Sequence, residues 1–107
     1  MSALVNSLRA RPGLIGLGAE AADAFTVRVQ MPEVWDTIAV RCASDTSVTA
    51  LKQAALEAFG QQHHPLEEFV LKLRGFEVLD EGAPVSVAGA RDGSTFLLTY
   101  RHRRPVR

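Results

Sequence analysis

Residues 44–60, SDTSVTALKQAALEAFG, limit the possible folds more than any other stretch. Val48, Leu51, Ala55 and Phe59 recur at helical spacing, and Leu56 widens the same face. One side of the resulting helix is therefore apolar and has to be covered. Ser44, Asp45, Thr46 and Ser47 offer side-chain oxygens to the first free N–H groups, with Thr46 or Ser47 as the expected cap. Gly60 is the expected stop, because glycine takes the left-handed conformation without a Cβ clash. This is the one well-marked helix, and it lies between runs that alternate as strands.

Phe25 to Met31 alternates cleanly, with Phe25, Val27, Val29 and Met31 on one face and Thr26, Arg28 and Gln30 on the other. After Pro32–Asp36, the run Thr37 to Cys42 alternates again, with Ile38, Val40 and Cys42 inward and Arg41 outward. The short link makes the two runs an antiparallel hairpin. Trp35, near the tip, is read as a partly buried structural residue, with an exposed contact as the alternative. Beyond the helix, Glu68 to Arg74 points Phe69, Leu71 and Leu73 inward and Val70, Lys72 and Arg74 outward. Phe76 to Leu79 is a short strand, Asp80–Pro84 is turn chemistry, and Val85–Ala90 fits a helical turn or an irregular crossing. Ser94 to Tyr100 is the last strand, with Phe96 and Leu98 inward.

The ends differ from this middle. MSALVNSLRA fits a short amphipathic helix through Leu4, Val5 and Leu8, but Pro12, Gly13, Gly16 and Gly18 break any regular element after it. Residues 1–24 are thus expected to be an arm, flexible or loosely packed on a single domain of residues 25–103. Residues 104–107 form a basic tail. Charge is uneven in the same sense. Residues 1–100 carry 8 basic and 12 acidic side chains, and Arg101, Arg103, Arg104 and Arg107 restore neutrality. Cys42 is the single cysteine, which excludes an internal disulfide and suggests a reducing, cytoplasmic setting. In its strand pattern it reads as a small buried hydrophobe rather than a nucleophile. His63 and His64 are adjacent and diverge, with no third ligand nearby, so a solvated loop is expected rather than a metal site.

The order strand, strand, helix, strand, short strand, strand places the first and last strands side by side and parallel in a mixed sheet. The helix then crosses one face. This is an α+β fold of the β-grasp type with four to five strands. The residues themselves resemble ubiquitin-like proteins over about Phe25 to Arg103. Ser44-Asp45-Thr46 before the helix, Lys52 inside it, Pro65 after it, Leu73-Arg74-Gly75, Leu79-Asp80-Glu81-Gly82 and Ser94-Thr95-Phe96 through Arg101 fall in ubiquitin order. Phe69-Val70-Leu71-Lys72-Leu73-x-Gly75 with Glu77-x-Leu79 also looks like the Ras-binding domains of lipid kinases, which share the fold. The resemblance implies two departures. Arg104 and Pro105 stand where ubiquitin and the sulfur carriers have their terminal Gly-Gly, so a modifier or sulfur-carrier role is not expected. Lys72 stands where ubiquitin has the isoleucine at the centre of its recognition patch, so the usual ubiquitin receptors should not recognise this face.

No Ser/His/Asp grouping, phosphate loop or metal-ligand spacing is present in the sequence. A non-catalytic protein–protein interaction module without cofactor is therefore expected. Its candidate contact set is Arg28, Arg41, Lys72, Arg74 and Arg101 on the outer sheet face, with Arg103 and Arg104 beyond them, and its expected partner is an acidic protein surface. Strand addition along the edge of the second strand is a further mode that the Ras-binding resemblance implies. The alternative is an RNA-contacting or anionic-surface appendage working through the Arg101–Arg107 tail, whose charge would act without sequence preference. Little aromatic interleaving accompanies that charge.

Overall fold

A computed structural model describes residues 14–101. The elements are β1 (Leu14–Leu17), β2 (Phe25–Met31), a 3-10 turn (Pro32–Val34), β3 (Asp36–Cys42), α1 (Val48–Ala58), a second 3-10 turn (Leu66–Glu68), β4 (Phe69–Leu73), β5 (Phe76–Glu77) and β6 (Thr95–Tyr100). They form one six-stranded sheet in the order β1-β3-β2-β6-β4-β5. β2 and β3 are the antiparallel hairpin, running from Phe25 opposite Cys42 to Met31 opposite Asp36. β2 and β6 lie side by side and parallel, with Val29 opposite Phe96. β4 runs antiparallel to both β6 and β5. The topology is the expected β-grasp, with one strand more than the expected four to five.

The apolar stripe of α1 decides where the core sits. Val48, Leu51, Ala55 and Leu56 are buried against Val27, Val29, Val40, Leu71, Phe96 and Leu98 of the sheet, and Val85 and Ala90 close the side left open. Ser47 is the cap, its Oγ accepting from the Ala50 N–H at 3.0 Å. Val48 and Thr49 donate their free first-turn N–H groups to the carbonyls of Ala83 and Glu81, at 3.0 and 2.8 Å. The helix start is thereby tied to the 80–84 turn. Gly60 follows at φ 75°, the left-handed stop its position requires.

Residues 14–24 differ from the expected loose arm. β1 pairs parallel with β3, from Leu14 opposite Ala39 to Leu17 opposite Cys42. The physical reason lies in Ile15 and Leu17, which alternate with Leu14 and Gly16 and turn a half-buried face toward the core. The alternation is only four residues long, and the glycines around it disguise it. Gly18, at φ 73°, ends the strand. β1 also covers the stretch of β3 edge where strand addition was expected. The expected helix through Leu4, Val5 and Leu8 lies outside the described residues.

Trp35 is the second difference: it is 92% exposed rather than partly buried. It ends the 3-10 turn at φ 54°, with its N–H returned to the Pro32 carbonyl at 3.0 Å. The turn needs a left-handed residue, and meeting that need swings the indole away from the core. Left-handed backbone strains a residue with a bulky side chain, while asparagine tolerates it. Trp35→Asn is accordingly expected to stabilise the fold by about 1 kcal/mol in urea titrations followed by far-ultraviolet circular dichroism. A loss of stability would mean that the indole contributes contacts its exposure does not suggest.

Candidate interaction surfaces

The strand alternation that buries Val27, Val29 and Met31 sends Arg28 to the opposite, outer face. Arg28 stands opposite Ala39 on β3 and Thr95 on β6. Arg41 stands opposite Thr26 and directs Nη1 to its Oγ1 at 3.4 Å. The two arginines are diagonal neighbours across the hairpin. Lys72 lies toward the other edge of the same face, opposite Glu77 on β5 and Leu97 on β6. Arg101 reaches Glu77, Nη1 to Oε2 at 3.2 Å, and donates Nε to the Glu67 carbonyl at 3.0 Å. Glu77 thus pairs with Arg101 and stands opposite Lys72 on the neighbouring strand.

Arg74 leaves the predicted face. It adopts φ 54° in the turn between β4 and β5, and its Nη2 contacts the Gly89 carbonyl at 3.3 Å. Alternation stops at Leu73 because the turn begins there. The predicted residues therefore do not form one patch. Arg28 and Arg41 are together, Lys72 and Arg101 flank a carboxylate, and Arg74 holds the 85–90 crossing. Arg103 and Arg104 lie outside the described residues.

The sequence reading missed the groove at the β5 edge. Leu73, Phe76, Val78, Leu79, Val87 and Ala88 line a depression of about 300 Å³, with Glu77 and Asp80 as the charged residues in its wall. Phe76, Leu79 and Val87 are 78, 84 and 73% exposed. A signal was present: Phe76, Val78 and Leu79 crowd a four-residue segment whose strand, β5, ends at Glu77 and cannot bury them all.

A part-buried ion pair ties α1 to the turn that follows the groove residues Leu79 and Asp80. Lys52 lies on the apolar face of α1, 1% exposed, with Nζ 2.9 and 3.0 Å from the two carboxylate oxygens of Glu81. The Glu81 carbonyl also accepts from Thr49, both N–H and Oγ1, at 2.8 Å. The spacing could have found Lys52: it falls four residues after Val48 and four before Leu56, inside the apolar stripe.

Other chemistry-bearing side chains have structural surroundings. Cys42 is fully buried, and burial pushes its thiol pKa up, with a smaller opposing effect from the Arg41 charge. The thiol stays protonated at neutral pH and packs as a hydrophobe. His63 and His64 have ring centroids 4.2 Å apart, and His64 meets the ring of Phe69 edge-on at 5.9 Å. Among the described residues, no group of three or more His, Cys, Asp or Glu is arranged to hold a metal ion. No helix among them is long and apolar enough to cross a membrane.

No protein-family model matches the chain, and no curated relative does. Solved structures do. The ubiquitin-like domain of an Arabidopsis thaliana protein superposes with a TM-score of 0.64 at 17% identity, covering 84% of this chain and 90% of that one. The ubiquitin-like domain of Plasmodium falciparum Dsk2 gives 0.60 at 20% identity, over 73% of this chain and 99% of that one. The ubiquitin of Caldiarchaeum subterraneum gives 0.61 at 16% identity, over 75% and 96%. At these identities the likeness is one of fold.

Proposed function

We propose that this domain, whose fold is the ubiquitin-like β-grasp, is a non-catalytic protein-interaction module. The observation that carries the reading is the convergence of three large exposed apolar side chains, Phe76, Leu79 and Val87, on one groove. Exposed apolar surface gathered in one depression marks interaction sites far more than single exposed residues do. The groove suits a bulky apolar side chain of a partner, and Glu77 and Asp80 suit a basic residue beside it. Arg28 and Arg41 on the outer face add a separate basic pair that would steer an acidic partner surface. The solved structures support the module reading through fold, since two of them are themselves ubiquitin-like domains.

Affinity capture from the native cell tests this, comparing the wild type with Phe76→Ser plus Leu79→Ser and with Arg28→Glu plus Arg41→Glu. The groove variant is expected to lose its principal partner by about tenfold or more, as loss of interface anchors does. Both changed side chains are mostly exposed, so thermal stability should hold. An unchanged partner list would remove the groove from consideration. Loss in the arginine variant alone would move the site to the outer face.

A further inference from the structure

We propose that the Phe76 groove takes an extended segment of a partner, paired as a further strand along the open edge of β5. Two apolar side chains of that segment enter the groove, and a basic residue ahead of them meets Asp80. This occupant rests on the proposed function and specifies the shape and chemistry of its partner.

β5 ends the sheet, and among the described residues no strand lies beyond it. Its pairing with β4 is set by the tight turn at Arg74 and Gly75, both left-handed, at φ 54° and 85°. Leu73 stands opposite Phe76, and Lys72 opposite Glu77. Val78 then returns its N–H to the Leu71 carbonyl at 2.8 Å. Peptide groups alternate in direction along a paired strand. Glu77, between two residues that face β4, therefore turns its N–H and carbonyl to the open side. Such an edge is a template for one more strand.

The groove lies where that strand would run. Cross-strand partners share a face of the sheet. Leu73 is buried on the core face, so Phe76 opposite it carries that face to the edge, where it is 78% exposed. Val87 and Ala88 of the 85–90 crossing form the other wall. An antiparallel occupant exchanges both hydrogen bonds with Glu77 through a single residue. The residues on either side of that one stand opposite Phe76 and Val78, and their side chains point into the groove. A space of about 300 Å³ suits two apolar side chains rather than a whole cofactor. A helical occupant would satisfy its own peptide groups and leave those of Glu77 to water, so the extended segment is the one that uses edge and groove together.

Charge fixes the remaining position. Arg101 already holds the Glu77 carboxylate, Nη1 to Oε2 at 3.2 Å. Asp80 is exposed in the groove wall, with Oδ1 accepting from the Gly82 N–H at 3.2 Å, and presents its charge beyond Leu79. Because the occupant runs antiparallel to β5, the residue that reaches Asp80 precedes its two apolar residues in sequence.

The probe is the peptide Gly-Lys-Thr-Leu-Thr-Leu-Gly, acetylated and amidated, titrated into the isotope-labelled full chain and followed by amide NMR. Half-saturation is expected at or below about 1 mM, with shifts at residues 76–80 and 83–88 and slower hydrogen exchange of the Glu77 amide. Methylating the nitrogen of the second threonine deletes the donor to the Glu77 carbonyl and should weaken binding by about fivefold or more. Glu77→Pro deletes the donor on the other side, at an edge position that tolerates proline, and should weaken binding likewise. Replacing the peptide's lysine by glutamate should weaken it by about threefold or more. Absence of binding at about 1 mM, or equal binding of the N-methylated or the charge-reversed peptide, would overturn the proposal. Loss of partner capture in the Phe76→Ser plus Leu79→Ser protein is read independently of all these results, so a failure of strand pairing does not carry the proposed function with it.

Discussion

Glu81→Leu is expected to cost about 3 kcal/mol of folding stability, more than most changes to a partly exposed side chain. The cost comes from what it leaves behind. The Lys52 ammonium is sealed on the apolar face of α1, and both Glu81 oxygens lie within 3.0 Å of it. Without the carboxylate, the charge has to be neutralised, hydrated or moved. Lys52→Met is expected to cost less, about 1–2 kcal/mol, because Glu81 is 23% exposed and its freed oxygens can turn to water. The double variant should recover most of the loss, as apolar replacement of a buried pair often does. Urea unfolding of the four proteins gives the coupling energy directly. A Glu81→Leu cost below about 1 kcal/mol would show that Lys52 finds another partner or reaches solvent. The pair also bears on the groove. Glu81 holds the turn that follows Leu79 and Asp80, so Glu81→Leu should weaken partner capture while Phe76 and Leu79 remain in place.

The elements that build the core were legible because each had a long, unambiguous period. Alternation over Phe25–Met31, helical spacing over Val48–Phe59 and the capping and stop residues around α1 all agreed with one another, which is the condition under which local patterns report a fold. The parallel pairing of β2 with β6 followed from the order of the elements. Four features were missed, each for a physical reason. β1 alternates over four residues only, and its strand character comes from the β3 edge beneath it. Trp35 is turned outward by a left-handed backbone that no periodicity reveals. Arg74 keeps strand parity in sequence but sits in a turn that breaks it. Lys52 carries the right spacing for burial and the wrong chemistry, and the carboxylate that permits its burial is 29 residues away. The groove is of the same kind, since Val87 reaches Phe76 only after the 80–90 crossing has folded back.

Phe96→Ala is expected to cost about 3–5 kcal/mol, enough to unfold much of the population of a small domain. Phe96 is fully buried on β6, opposite Val29 on one neighbour and Leu73 on the other. It therefore fills the core where the parallel pairing of β2 and β6 meets the antiparallel pairing of β6 and β4. Removing the ring leaves a cavity under α1, and strands hydrogen-bonded on both sides can collapse into it only partly. Phe76→Ala removes the same ring from the groove and should change stability by no more than about 0.5 kcal/mol. The pair of variants separates two settings of phenylalanine in this sheet: one ring is buried in the core and the other, on the proposed reading, is open to a partner. Thermal and urea unfolding measure the first, and partner capture measures the second. A Phe96→Ala cost near that of Phe76→Ala would mean that α1 does not press on β6, and the β-grasp core of this chain would have to be redrawn.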